Sequence, residues 1–174
     1  NFGAYSSYSY HLYYLAARRS LTGGTTDAEG NTTYSDEEKA ASVTAAEEAA
    51  KTLTADTITT AEELDAAIAA LSINEGASAK STAYPDTLFT SINSTYADWI
   101  SDSSRKEGDL TYLKNATTAE DGTETVNGYY VVRFDSVIDN TFALKNVRHI
   151  LVNFEGGTTD EMGMTTYTDE EKAA

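Results

Sequence analysis

The side chains able to do chemistry in this chain are few. Its only imidazoles are His11 and His149, it has no cysteine, and phenols are abundant, with 12 tyrosines. A thiolate zinc site, a cysteine nucleophile and a disulfide framework are therefore excluded. No glycine-rich phosphate loop, dinucleotide fingerprint or nucleophile elbow occurs. One carboxylate pattern calls for a decision. Asp27, Glu29, Asn31 and Glu38 fall at positions 1, 3, 5 and 12 of a twelve-residue calcium loop. Position 6 is Thr32, where such a loop needs glycine, and a second copy of the segment carries Met162 and Met164 at positions 3 and 5. The acids have another use, as a helix cap, so the reading assigns no metal and no cofactor here.

That second copy is the strongest signal in the chain. Residues 23–41 read GGTTDAEGNTTYSDEEKAA and residues 156–174 read GGTTDEMGMTTYTDEEKAA, with 15 of 19 positions identical at an offset of 133. A repeat this long implies whole domains in tandem, one nearly complete and a second just begun. The predicted division is 1–139 and 140–174, with the boundary at Asp139-Asn140. Within each copy, Asp-x-x-Gly between threonines predicts a turn or short hairpin. Ser35 to Glu38, and Thr168 to Glu171, have the spacing of a capping box.

The elements that must hold the chemistry follow from periodicity. The tyrosine-rich 5–15 predicts a strand. Residues 36–54 predict a helix with Ala40, Val43, Ala46, Ala50 and Leu53 on one side, and Thr60-x-x-Glu63 opens another bearing Leu64, Ile68 and Leu71. A short strand is expected over 77–84. Pro85, the only proline, suits the first turn of a helix from about 86 to 104, its apolar side made by Leu88, Phe89, Ile92, Tyr96, Trp99 and Ile100. Strands are expected at 110–113 and 128–134, joined by a polar loop over 115–124, and 145–154 should open the second unit. This order is not regular βαβ alternation. It predicts an α+β fold with helices gathered on a small, mostly antiparallel four-stranded sheet and about three to four helices.

Several of these segments resemble the parvulin-type peptidyl-prolyl isomerases. Asn146-Val147-Arg148-His149-Ile150-Leu151-Val152 is similar to that family's first strand, a His followed by Ile-Leu-Val. Thr125-Val126-Asn127-Gly128-Tyr129-Tyr130 resembles its last strand, a Thr and then Gly-Tyr-His. Pro85-Asp86-Thr87-Leu88 and Ile92 resemble the helix that lines the proline pocket, and Gly108-Asp109 the glycine before the third strand. The resemblance covers most of 8–137 and restarts at 146. It implies catalytic positions at His11, Thr125, Tyr130 and His149, and a substrate pocket at Leu88 and Ile92. His11 matches the first-strand His if about five extra residues, Ala16 to Ser20, are inserted before the glycine pair; without them Ala16 falls opposite His149. Tyr130 replaces the second-strand His, Leu88 and Ile92 replace a Met and a Phe, and the family's GGDLG turn is missing from 74–84. The first unit is thus degenerate and the second truncated.

The chemistry so implied needs neither nucleophile nor metal. An X-Pro bond rotates over a barrier of about 18–20 kcal/mol, and the catalyst must hold the twisted amide better than either planar form. The expected activity is isomerase or foldase action on extended, proline-containing or unfolded secreted polypeptides. The alternatives are an inactive peptide-binding or chaperone module, and a structural bead of a cell-surface protein.

Charge and hydropathy bound the partners. With 28 acids against 12 bases the formal charge is −16, which argues against nucleic acid and anionic membrane surfaces. No apolar run is long enough to span a bilayer. Because the chain begins at Asn1 with neither Met nor leader, it is expected to be a mature or excised piece of an extracytoplasmic protein, secreted or attached through a segment outside it. The apolar strand 146–154, severed from its domain, is expected to pair with an exposed edge by strand exchange.

Overall fold

The computed structural model describes residues 6–74, 79–138 and 155–173. The chain divides into two compact units, Asn1–Asn140 and Thr141–Ala174.

In the first unit, β1 (Ser7–Ala16) runs into a 3₁₀ turn and a small hairpin, β2 (Thr25–Thr26) and β3 (Thr32–Thr33). Then come α1 (Asp36–Thr52), α2 (Ala61–Ala70), β4 (Thr82–Leu88), α3 (Ser94–Ile100), β5 (Leu110–Thr118) and β6 (Glu124–Ile138). The long strands form one antiparallel sheet in the order β4-β1-β6-β5. The fold is α+β, as the element order predicts. The tyrosine-rich opening strand and the Gly-Tyr-Tyr strand are direct neighbours, paired from Ser7↔Ile138 to Ala16↔Gly128. Gly128 has a steric reason to be glycine, since a Cβ there would run into the Leu15 carbonyl.

Both helix starts behave as their sequences require. Ser35 accepts from the Glu38 N–H while the Glu38 carboxylate takes the Ser35 N–H, and Thr60 with Glu63 does the same for α2. Strand alternation then divides the core into two layers. On one face Tyr13, Leu15, Tyr129 and Val131 pack under Ala46, Ala50 and Leu53 of α1 with its C-terminal cap, and Leu64 and Ile68 of α2. Inside this layer Asn74 is wholly buried with its polar atoms satisfied: its amide donates to Tyr13 Oη at 2.9 Å and to the Ile68 carbonyl at 2.8 Å. On the other face Tyr8, Tyr10, Val132 and Phe134 pack against Ile92, Tyr96, Ala97 and Ile100.

The structure departs from expectation between residues 82 and 124. Pro85 does not begin a helix; it lies within β4, and α3 is confined to Ser94–Ile100. An outer strand tolerates a residue with no N–H, and Asp86, at φ +43°, bulges so that its N–H reaches Ser9 Oγ at 3.0 Å. Asn93 is the true start of α3, its side chain accepting from the Thr95 N–H. Half of the polar stretch 115–124 is also strand: β5 continues to Thr118, and a tight turn leads into β6 at Glu124.

The described part of the second unit, 155–173, rebuilds the repeat: β7 (Thr158–Thr159), β8 (Thr165–Thr166) and α4 (Asp169–Ala173). Gly157 N–H to Glu171 Oε1 measures 2.8 Å, against 2.7 Å for Gly24 N–H to Glu38 Oε1. The strand expected over 145–154, its pairing by exchange, and His149 lie outside the described residues.

Candidate functional site

In both copies the repeated carboxylates serve the backbone. Asp27 Oδ1 accepts from the N–H groups of Glu29 and Asn31, and Glu38 from those of Gly24 and Ser35. These bonds hold both carboxyls below the usual range: for Asp27 those of Asn31 count most, for Glu38 that of Gly24. Asp160 and Glu171 repeat the hydrogen bonds in the second copy. Among the described residues no group of three or more His, Asp or Glu side chains is placed to hold a metal ion.

Of the described residues singled out by resemblance, Ile92 and Tyr130 share the cluster packed against α3, while His11, Leu88 and Thr125 lie elsewhere. His11 shares the parity of Tyr13 and Leu15, so it belongs to the α1–α2 face. There its Nδ1 meets Asp135 Oδ2 at 2.7 Å. Asp135 occupies the bulge of β6, where the register slips between Ser9 and Tyr10, and it also pairs with Arg133. Arg133 is nearly buried and donates to the Thr59 carbonyl at 2.9 Å. His11 is thus one corner of a hydrogen-bonded staple joining β1 and β6 to the loop before α2.

Tyr130 lies on the opposite face, and the residue across from it on β1 is Tyr14. Leu88 is an exposed residue opposite Ser7 at one end of β1, whereas Thr125 lies beyond Ala16 at the other. At about 3.3 Å per residue these two are roughly 35–40 Å apart along the sheet. Ile92 is buried beneath α3 with Tyr8 and Tyr10. Thr125 borders a separate cleft of about 600 Å³ with Tyr14, Arg18, Arg19, Lys39 and Asn127.

What the tertiary structure does assemble is a run of five phenols. Tyr84 stacks on Tyr10 with ring centroids 5.0 Å apart, Tyr10 meets Tyr96 at 5.9 Å, Tyr96 meets Tyr130 edge-on at 5.3 Å, and Tyr130 meets Tyr14 at 4.8 Å. Four elements contribute: β4, β1, α3 and β6. The run is exposed at Tyr84, buried at Tyr10 and Tyr96, and half-buried at Tyr130 and Tyr14. The Tyr14 hydroxyl accepts from Asn115 Nδ2 at 3.1 Å. Burial pushes the hydroxyl of Tyr10 up strongly and those of Tyr96 and Tyr130 up as well. All three are neutral phenols at physiological pH, each with one proton to donate. Sequence reasoning passed over Tyr14, Tyr10 and Tyr96 as ordinary strand and core residues. The available signal was the every-second-residue spacing of Tyr8, Tyr10, Leu12 and Tyr14, which puts them on one face.

No protein-family model, no curated protein and no solved structure matches this chain.

Proposed function

We propose that the first unit is a parvulin-like module of an extracytoplasmic protein that binds extended, proline-containing polypeptide on its tyrosine face without isomerising it. The observation that carries this reading is the run from Tyr84 to Tyr14, exposed at Tyr84 and partly open to solvent at the Tyr130–Tyr14 end. Aromatic rings offer a rigid, flat surface to a pyrrolidine ring or an apolar side chain at small entropic cost. Neutral hydroxyls beside them can donate to the peptide's carbonyls. Isomerase chemistry needs polar groups gathered around one twisted amide. Here His11 is on the far face, tied to Asp135, and the pair across the strands is Tyr14 with Tyr130.

Titrating the ¹⁵N-labelled chain with a short proline-containing peptide tests this. The expected result is shift changes around Leu12, Tyr14, Leu113 and Tyr130, abolished in Tyr14→Ala, with no acceleration of cis–trans exchange in the peptide. Faster exchange would restore the foldase reading, and shift changes confined to other surfaces would remove the tyrosine face as the site.

A further inference from the structure

The two outer edges of the sheet are built differently. β4 is blocked: Pro85 offers no N–H, Asp86 bulges at φ +43°, and the pairing with β1 slips between Tyr8 and Tyr10. Such devices stop an edge from templating another strand. β5 runs for nine residues without proline, and its irregularity lies toward its end, between Asn115 and Ala116. Its one charged residue, Lys114, is engaged with Glu124 at 2.6 Å. Among the described residues no strand pairs with its outer side.

The polarity of that edge follows from two hydrogen bonds. Phe134 donates its N–H to the Asp109 carbonyl at 2.8 Å and accepts from the Gly108 N–H at 2.9 Å, so its backbone faces β5. In steps of two along β6, the backbones of Val132, Tyr130 and Gly128 face β5 as well. Their partners Thr111, Leu113 and Asn115 therefore bond inward. The N–H and C=O groups of Leu110, Tyr112 and Lys114 then point away from the sheet, spaced to match an extended backbone.

We infer that the outer edge of β5 takes up an extended, basic segment of a partner polypeptide as a fifth strand. This site is separate from the tyrosine face and goes beyond the function proposed for it. Only an extended backbone satisfies alternating donors and acceptors along an edge. Charge selects the partner. A formal charge of −16 sets two copies of this chain against each other. Asp109 and Glu124 are already paired with Arg105 and Lys114, so it is Glu107 before β5, with Glu120 and Asp121 in the turn after it, that favour lysine or arginine in the incoming strand.

The experiment uses the full 174-residue chain and a capped nonapeptide alternating lysine with valine and threonine. Amide exchange at Leu110, Tyr112 and Lys114 should slow by about tenfold when the peptide is present, and binding should weaken as salt rises. Lys114→Pro removes an outward N–H and should weaken binding by about tenfold, whereas Lys114→Ala should change it by less than about twofold. If Lys114→Pro lowers the melting temperature, the same peptide N-methylated at alternate amides replaces it and should bind about tenfold more weakly. The inference is overturned if these three amides already exchange slowly in the free chain, if the N-methylated peptide binds equally well, if no peptide binds, or if sedimentation shows that the protection comes from self-association. None of these results bears on the tyrosine face, which is read by its own peptide titration.

Discussion

The two faces of the central sheet are made from the same strands and do different work. One is aliphatic and closed: Leu15, Leu53, Leu64, Ile68 and Val131 have no measurable exposure beneath two capped helices totalling 27 residues. The other is aromatic and covered by the seven residues of α3, which leave Tyr14, Tyr130 and Leu12 half-exposed. A closed aliphatic layer spends its surface on folding, while a half-covered layer of phenols leaves surface exposed, where the proposed peptide would lie. The contrast teaches that tyrosine-rich strands need not mean a site everywhere: Tyr13 and Tyr129 face the closed layer and serve as packing.

This contrast can be broken first at the closed face. Leu64→Ala should cost about 2–5 kcal/mol through lost burial and the cavity left behind, measured by urea denaturation, with little change in peptide affinity among molecules that stay folded. Tyr130→Ala should cost less stability, on the order of 1–2 kcal/mol for a half-buried ring, yet should abolish peptide-induced shifts; equal stability losses at the two sites would erase the distinction. Ser35→Ala removes the cap on which α1 begins and should cost about 1 kcal/mol, read as a lower denaturation midpoint with the tyrosine face unchanged.

The smallest effects are in pH. Glu38 has its folded carboxyl lowered by the Gly24 and Ser35 N–H groups. Its contribution to stability is therefore present above the ordinary carboxylate range and is lost as pH falls through the lowered value. Glu38→Gln should flatten that acid limb, and Glu171, bound alike in the second copy, should titrate in step with Glu38 by NMR. For Tyr10 the sign is opposite. Its raised folded value means that stability is complete below about pH 10 and declines as pH rises above it. Ultraviolet titration should show the buried phenols ionising after the exposed ones; simultaneous ionisation would show that the aromatic layer is open throughout.

Much of this fold was legible in residues. The three capping boxes, the repeated hairpin and the Gly-Tyr-Tyr strand were readable because their determinants are local: an oxygen three residues from an N–H, or alternation of period two. Pro85 was misread for the same reason. Locally it suits a helix start, but its place on an outer strand depends on Ser9, 76 residues away in sequence, receiving the Asp86 bulge. The candidate site was less legible. His11 stands out by its resemblance to a first-strand His, and parity along β1 together with the bulge at Asp135 puts it on the face opposite Tyr130.

Composition and local pattern by themselves determined the class of fold, the hairpin of the repeated segment, the helix starts and the absence of thiol chemistry, since each depends on residue types or on spacing within about one turn or one hairpin. Only the tertiary structure decided which tyrosines touch, which side of the sheet stays open and which edge is blocked. Those outcomes depend on strand register, where a shift of one residue turns every side chain to the opposite face, and register here is set by bulges whose partners lie far apart in the chain.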